Sequence, residues 1–228
     1  MQISPVNRSK SAARRAYDRL SRVYDLLAGS SEAQFTHLGT EMLAVGLGES
    51  VLEIGSGTGK ALLELCTHVG DSGSVHGIDL SPGMLQKARD RLERSGASRR
   101  VCLLEGDGAH LPYQSGSFTV IFISFTLELF DTPEIPMVLA ECQRVLKPGG
   151  RLGVVAMLKT NPSGPIVRLY EWFHDHIPTY VDCRPINAHQ MIQTAGFSVE
   201  KRQVKSMWGL PVELLVARKL EPMLGGAA

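Results

Sequence analysis

The stretch Val51-Leu52-Glu53-Ile54-Gly55-Ser56-Gly57-Thr58-Gly59-Lys60 passes from an apolar run into alternating glycines, and a helical pattern of apolar residues follows it. This order predicts a strand, a tight turn and a helix. Glycine is needed where the backbone takes a positive φ or approaches a ligand more closely than a Cβ permits. Glycines at every second position of the turn therefore favour a binding loop whose backbone amides face a ligand.

The next predicted strand, from Ser74 to Ile78, ends at an acidic residue, Asp79. An acid about twenty residues after such a turn can accept hydrogen bonds from the hydroxyl groups of a ribose. Two kinds of turn combine glycines with a distant acid, one for dinucleotides and one for S-adenosylmethionine (SAM). The dinucleotide form G-x-G-x-x-G requires glycine where this chain has Lys60, so G-x-G-x-G preceded by Glu53 favours SAM.

The glycine stretch is similar to motif I of the class I SAM-dependent methyltransferases. Later motifs of that superfamily resemble three further stretches, in the same order: Gly77-Ile78-Asp79-Leu80-Ser81-Pro82-Gly83-Met84-Leu85, Glu105-Gly106-Asp107-Gly108-Ala109-His110-Leu111-Pro112 and Leu146-Lys147-Pro148-Gly149-Gly150-Arg151-Leu152. The resemblance implies an α/β, Rossmann-like fold. Its sheet has seven mostly parallel strands, ends in a C-terminal antiparallel hairpin and carries helices on both faces.

The same resemblance implies a set of residues that hold SAM. Asp79 would bind the ribose, while Asp107 either binds the adenine amino group or caps its own loop. Met84 either packs on the adenine or belongs to the core of its helix, and Thr58 would lie near the carboxylate end of SAM. The complete set of implied cofactor-binding residues is Tyr17, Tyr24, Glu53, Gly55, Ser56, Gly57, Thr58, Gly59, Asp79, Leu80, Met84, Asp107, Gly108 and Ser124.

Composition limits the class of protein. The 228 residues, 43% of them hydrophobic, are enough for one substantial core, and the net charge of +1 gives no overall attraction to nucleic acid. The four cysteines lie far apart without metal-ligand spacing, which predicts reduced thiols, a cytoplasmic protein and no metal site. We expect a single domain with a helical cover over 1–48, a SAM-binding core over 49–158, a substrate-side insertion over 159–186, and a helix and hairpin over 187–218.

Apolar periodicity predicts the remaining elements. An amphipathic helix or helix pair spans 11–27, and its second face is basic, so it is either solvated or in contact with anionic phosphates or lipid head groups. The continuous apolar run 118–124 predicts a strand covered on both faces at the centre of the sheet. Strand five is predicted over 152–158, and a terminal hairpin over 197–207 and 212–218 is joined through Gly209-Leu210-Pro211.

The acceptor side of the site is suggested by the segment from Tyr17-Asp18 to Tyr24-Asp25. It resembles the amino-terminal cover of the ubiquinone/menaquinone C-methyltransferase family and of bacterial phosphatidylethanolamine N-methyltransferases. That resemblance implies a small lipophilic acceptor, a quinone precursor or a lipid head group, and peripheral contact with an anionic membrane. Beyond Thr160 the chain matches neither family closely.

Catalytic residues are sought in the cover and the insertion, which we expect to close together as a lid over the acceptor. The candidates are Tyr24, His174 and Asp182, with a surface position as the alternative for the histidine. Two other functions stay open: a nucleic-acid methyltransferase, and a SAM-binding module without turnover. Against the nucleic-acid methyltransferase, Ser124-Phe125-Thr126-Leu127 stands where amino-group base methylases carry Asn/Asp-Pro-Pro-Tyr, so we expect no nucleic-acid partner. We also expect a monomer or a homodimer.

Overall fold

The computed structural model of the chain describes residues 10–21, 31–160, 167 and 183–220. Its strands are β1 (Ser50–Ile54), β2 (Ser74–Asp79), β3 (Val101–Glu105), β4 (Phe118–Ser124), β5 (Leu146–Met157), β6 (Phe197–Met207) and β7 (Leu210–Lys219). The helices are α1 (Lys10–Leu20), α2 (Ser31–Leu43), α3 (Lys60–Val69), α4 (Pro82–Arg94), α5 (Ile135–Val145) and α6 (Ala188–Thr194), with a 3-10 turn at Leu127–Leu129.

The strands form one sheet in the order β3-β2-β1-β4-β5-β7-β6. Strands β1 to β5 are parallel, whereas β7 is antiparallel to both β5 and β6. This arrangement confirms the predicted fold class, and β4 lies at the centre as expected. The strand order reverses between β1 and β4, where the carboxyl ends of parallel strands open a crevice suited to a ligand.

The central strands are buried on both faces, because successive side chains of a strand point to opposite sides and helices cover each side. Leu52 and Ile121 belong to one apolar cluster, which includes residues of α5 and α6. Val51 and Phe122, their direct neighbours in sequence, belong to the second cluster with residues of α2 and α3. Alternation of this kind explains why the parallel strands read as nearly continuous apolar runs.

Helix α4 begins shortly after β2, and the residues at its amino terminus explain why a helix starts there. Ser81 is the N-cap and its hydroxyl accepts a hydrogen bond from the Met84 amide, while Pro82 occupies the first turn. Asn187 caps α6 in the same way by accepting from the Gln190 amide. These caps fix where α4 leaves the carboxyl edge of the sheet, next to Asp79.

Two predicted boundaries were wrong. Strand β5 begins at Leu146 and not at residue 152, because Leu146 already pairs with Phe118 and the register shifts before Arg151 pairs with Val120. The last hairpin turns at Trp208 and Gly209, both with positive φ, whereas Leu210 and Pro211 already belong to β7. In both cases pairing with a neighbouring strand extends the element beyond what local sequence suggests.

None of the helices in the described ranges combines the length and apolar character needed to cross a membrane.

Candidate functional site

The glycine turn closes tightly against the end of β2. The amides of Gly55 and Ser56 both donate to the Ile78 carbonyl, at 2.8 and 3.1 Å. A Cβ on Gly55 would lie 2.2 Å from Thr126 Oγ1, so only glycine fits there, and φ is +75°. A Cβ on Gly57, by contrast, would meet no atom within 4 Å. The backbone of Gly57 therefore faces open space, as expected for a loop that approaches a ligand.

A cavity opens beside this turn, with about 920 Å³ of empty space including its open mouth. It lies at the carboxyl ends of β1, β2 and β4, beneath α1. Nine of the predicted cofactor-binding residues line it: Tyr17, Gly55, Gly57, Asp79, Leu80, Met84, Asp107, Gly108 and Ser124. Gly59 lines neither this cavity nor its neighbour, since a Cβ there would lie 3.0 Å from Ala88 Cβ, and its place in the fold is the contact between α3 and α4.

Asp79 is fixed at the floor of the cavity by two backbone donors. Its Oδ2 accepts from the Gly57 amide at 2.8 Å and its Oδ1 from the Ser81 amide at 2.8 Å. Burial raises the pKa of Asp79 above its ordinary value, although the amides of Ser81 and Gly57 oppose the shift. Each carboxylate oxygen keeps one further acceptor direction, which could take a ligand hydroxyl.

Asp107 is engaged by a residue that the sequence did not single out as part of the site. Lys10 Nζ lies 2.5 Å from Asp107 Oδ2 and 2.7 Å from Glu134 Oε1, and the Ala109 amide donates to Asp107 Oδ1. Burial alone would raise the pKa of Asp107, but the hydrogen bonds from Lys10 and Ala109 outweigh it and lower that pKa. The only sequence signal for Lys10 was its place in the basic amino-terminal segment.

Helix α1 buries none of its residues, yet polar contacts tie it to the site. Asp18 Oδ1 accepts from Ser81 Oγ at 2.6 Å and from the Gly83 amide at 3.0 Å, at the amino terminus of α4. Arg14 pairs with Glu105 at 2.6 Å. Arg14 is exposed, in agreement with the solvated alternative for the basic face, whereas Lys10 turns from that face towards acids beside the cavity.

A second cavity of about 760 Å³, including open solvent, lies on the other side of the glycine turn and shares Gly55, Gly57, Ser124 and Phe125 with the first. The predicted residues Glu53, Ser56 and Thr58 line it, together with Thr36 and Glu64. Two buried atoms there, Glu53 Oε2 and Ser56 Oγ, have no hydrogen-bond partner among the described residues. Burial, and then the charges of Asp79 and Glu64, raise the pKa of Glu53 well above its ordinary value.

Glu53 Oε2 and Ser56 Oγ, which lack hydrogen-bond partners among the described residues, indicate a place for a ligand with hydrogen-bond donors, most simply an ammonium group. At the junction of the two cavities, Ser124 Oγ lies 2.8 Å from Thr36 Oγ1. Phe125, which lines both cavities, has a φ of +47°, an uncommon conformation for a bulky residue. Strained residues of this kind often mark ligand sites.

The three predicted catalytic residues, Tyr24, His174 and Asp182, lie outside the described residues. Where the chain is described again, Arg184 is buried and donates to the Glu128 carbonyl at 3.1 Å and the Phe130 carbonyl at 2.5 Å. Phe130 lines the first cavity. Sequence reasoning missed this guanidinium, for which the only signal is an arginine between a cysteine and a proline.

Comparison with known proteins agrees with this geometry. A family model described as "Methyltransferase domain" matches residues 51–150. The chain is 40% identical over 153 residues to the "Demethylmenaquinone methyltransferase" of Lactococcus lactis subsp. lactis (strain IL1403), which covers 65% of this chain and 59% of that protein. It is 32% identical to the "Ubiquinone/menaquinone biosynthesis C-methyltransferase UbiE" of Hahella chejuensis (strain KCTC 2396), over 72% of this chain and 66% of that protein.

Among solved structures, the chain is similar to a SAM-dependent methyltransferase from Aquifex aeolicus with a TM-score of 0.65 and 22% identity, over 88% of this chain and 98% of that one. The chain spans about half to two thirds of the length of the curated relatives it matches. The glycine turn, the strand order and the matched family model agree with one another, and residues 51–150 of the chain are a methyltransferase domain with the fold of the class I S-adenosylmethionine-dependent methyltransferases.

Proposed function

We propose that the chain transfers the methyl group of its cofactor, SAM, to a ring carbon of a small lipophilic quinone precursor. The observation that carries this proposal is a pair of adjoining cavities that share Ser124 and Phe125 in their walls. One holds a carboxylate oxygen without a hydrogen-bond partner among the described residues, and the other has apolar walls. The names of the curated relatives, which refer to demethylmenaquinone and to ubiquinone/menaquinone biosynthesis, support the choice of acceptor.

The residues present fit SAM. Glu53 Oε2 and Ser56 Oγ would hold the ammonium group, and Thr58, next to the start of α3, would lie near the carboxylate, where helix amides favour an anion. The free acceptor directions of Asp79 would take the ribose hydroxyls. Asp107 would bind the adenine amino group, for which Lys10 would have to give up its bond to Oδ2 and keep Glu134.

SAM supplies, when bound, a methyl group on a sulfonium that leaves readily in an in-line displacement. The chain itself would then act mainly by placing the acceptor carbon in line and by excluding water. Phe125, Leu129 and Phe130 offer an apolar wall in the first cavity for an aromatic ring. Helix α1 forms the roof of that cavity through Ala13 and Tyr17.

Ring methylation also requires that a phenolic or ring proton be accepted. We propose Tyr24, His174 or Asp182 for that step, with the amino-terminal helical cover and the insertion over 159–186 as the two halves of a lid over the acceptor. Turnover in Tyr24→Ala and His174→Ala variants tests these roles. Loss with Tyr24→Ala alone would favour a lid, whereas loss with His174→Ala that is rescued at higher pH would favour a histidine base.

The proposed function is tested by incubating the purified chain with methyl-labelled SAM and a panel of demethylated quinols, phospholipids and RNA. We expect label in the quinol and in no other acceptor. Label in the phospholipid would overturn the choice of acceptor, and label in RNA would favour a nucleic-acid methyltransferase. SAM binding without label in any acceptor would favour a binding module without turnover.

A further inference from the structure

The turn of the β6–β7 hairpin carries a tryptophan in an unfavourable conformation. Trp208 and Gly209 have φ values of +53° and +85°, the signature of a type I′ turn, which favours asparagine or glycine at its first central position. A bulky residue in the left-handed region is an outlier. The Trp208 side chain is also 76% exposed. Trp208 therefore breaks two local rules at once, which is expected where a residue serves binding and not folding.

The position of this turn in the sheet relates it to the site. Met157, the last residue of β5, pairs with Val212 near the start of β7, and the Leu158 amide donates to the Pro211 carbonyl at 2.8 Å. The turn therefore stands at the carboxyl edge of β5, the same edge that carries the glycine turn after β1. Met207 and Leu210, on either side of the turn, belong to the same apolar cluster as Phe125 of the cavity wall.

Lys205 is the charged residue of the two strands that lies nearest the turn, since it pairs with Val212 while the other charged residues of β6 and β7 lie farther along the hairpin. The residues of β6 and β7 include five basic and two acidic side chains. Both acidic groups are paired with arginines, Glu200 with Arg218 at 2.5 Å and Glu213 with Arg202 at 2.7 Å. Lys205 is exposed and forms no ion pair within the described part of the chain. An exposed aromatic ring thus stands three residues from an uncompensated positive charge.

We propose that this hairpin tip, defined as Val204 to Gly209, contacts the head-group region of an anionic lipid bilayer and holds the cavity mouth at its surface. Tryptophan rings favour the membrane interface because they are amphipathic. Lysines near such a ring are attracted by anionic lipids. The exposed aliphatic side chain of Val204, 50% accessible, adds apolar area to the same strand. The inference rests on the proposed function, since a lipophilic quinone precursor would be met in a membrane.

The test uses vesicles of phosphatidylcholine with and without phosphatidylglycerol, at low salt. The chain has two tryptophans, so Trp172→Phe leaves Trp208 as the only tryptophan, whose emission can be excited selectively over that of the tyrosines. We expect a blue shift of its emission and co-sedimentation with the anionic vesicles. Trp208→Asn suits the type I′ turn, so it should not lower Tm, and it should weaken vesicle binding by about tenfold or more.

The matched control is Leu47→Ala. Leu47 is 80% exposed but precedes β1, at the opposite edge of the sheet, so vesicle binding should not change. Equal binding by wild type and Trp208→Asn, or equal loss in both variants, would overturn the inference. So would an emission shift that appears at high protein concentration without vesicles, because that result indicates self-association through the tip.

A second readout separates this inference from the proposed function. Methyl transfer to a water-soluble quinol without a side chain, measured without vesicles, should be equal in wild type and Trp208→Asn. Vesicle binding that depends on Trp208 in a protein that does not methylate the quinol would contradict the proposed function and leave the membrane contact standing. Methylation of the quinol by a protein that does not bind vesicles would overturn the membrane contact alone.

Discussion

Replacing Asp79 by asparagine should weaken SAM binding strongly without unfolding the protein. The carboxylate already accepts from the amides of Gly57 and Ser81, both at 2.8 Å, and two acceptor directions remain for the ribose hydroxyls. An asparagine has one acceptor oxygen, and its amino group would face a backbone donor or a hydroxyl. Hydrogen bonds to charged groups contribute about 1.5–3 kcal/mol and neutral ones about 1 kcal/mol, so we expect a loss of about 2–3 kcal/mol, or roughly 30- to 150-fold in Kd.

Isothermal titration calorimetry with SAM measures this loss, and thermal unfolding without SAM shows whether the variant is folded. Asp90→Asn is the matched control, because Asp90 lies on α4 and, within the described ranges, accepts a side-chain hydrogen bond from Gln86 on the exposed side of that helix, at 2.9 Å. Asparagine is preferable to alanine at position 79, since alanine would leave two amides of the turn unpaired. A folded Asp79→Asn protein that binds SAM within about threefold of wild type would refute the assignment of the ribose site.

Three further substitutions test charged side chains that are buried or that hold one helix against another. Because burial raises the pKa of Glu53, the folded state holds its proton at higher pH than the unfolded state, and stability falls as pH rises from the ordinary carboxyl pKa through the raised one. Asp79, whose pKa burial also raises, adds to this fall, so Glu53→Gln should reduce it in urea titrations without SAM, and a pH profile parallel to that of wild type would contradict the assignment. Arg184→Met leaves the carbonyls around Glu128 without their buried donor and should cost about 3–5 kcal/mol in the free energy of unfolding, measured with denaturant, whereas a cost near zero would show that the guanidinium is dispensable. Asp18→Asn removes the charge that accepts hydrogen bonds from the start of α4 and should speed tryptic cleavage within α1 by about five- to tenfold. SAM should slow this cleavage. Equal cleavage rates in wild type and variant would show that other contacts hold α1.

The seven-stranded sheet and the place of β4 at its centre were predictable because several independent sequence signals agreed. The glycine turn predicts the β1–α3 junction, and the apolar run of β4 independently predicts a strand with two covered faces. Capping by Ser81 and Asn187 was also readable, because each polar side chain directly precedes a helical pattern. Motif resemblance and periodicity both supported the fold class.

The errors arose where tertiary pairing decides the outcome. Leu146 begins β5 although glycines and a proline follow it, because its partner Phe118 lies on another strand. Trp208 occupies a turn position that its own propensity disfavours. Local sequence does not indicate that Lys10 contacts two acids on other elements. It also does not indicate that Arg184 is buried beneath the cavity wall.

The proposed reaction is methyl transfer from SAM to the ring of a quinol held at the two adjoining cavities. The most direct measurement is a single-turnover reaction of the purified chain with methyl-labelled SAM and a demethylated quinol, with the product analysed by mass spectrometry and carbon NMR. We predict one labelled methyl group on a ring carbon, and a rate that falls in Asp79→Asn at limiting SAM. A chain that binds SAM yet leaves the quinol unlabelled, or that labels an oxygen of it, would contradict the account.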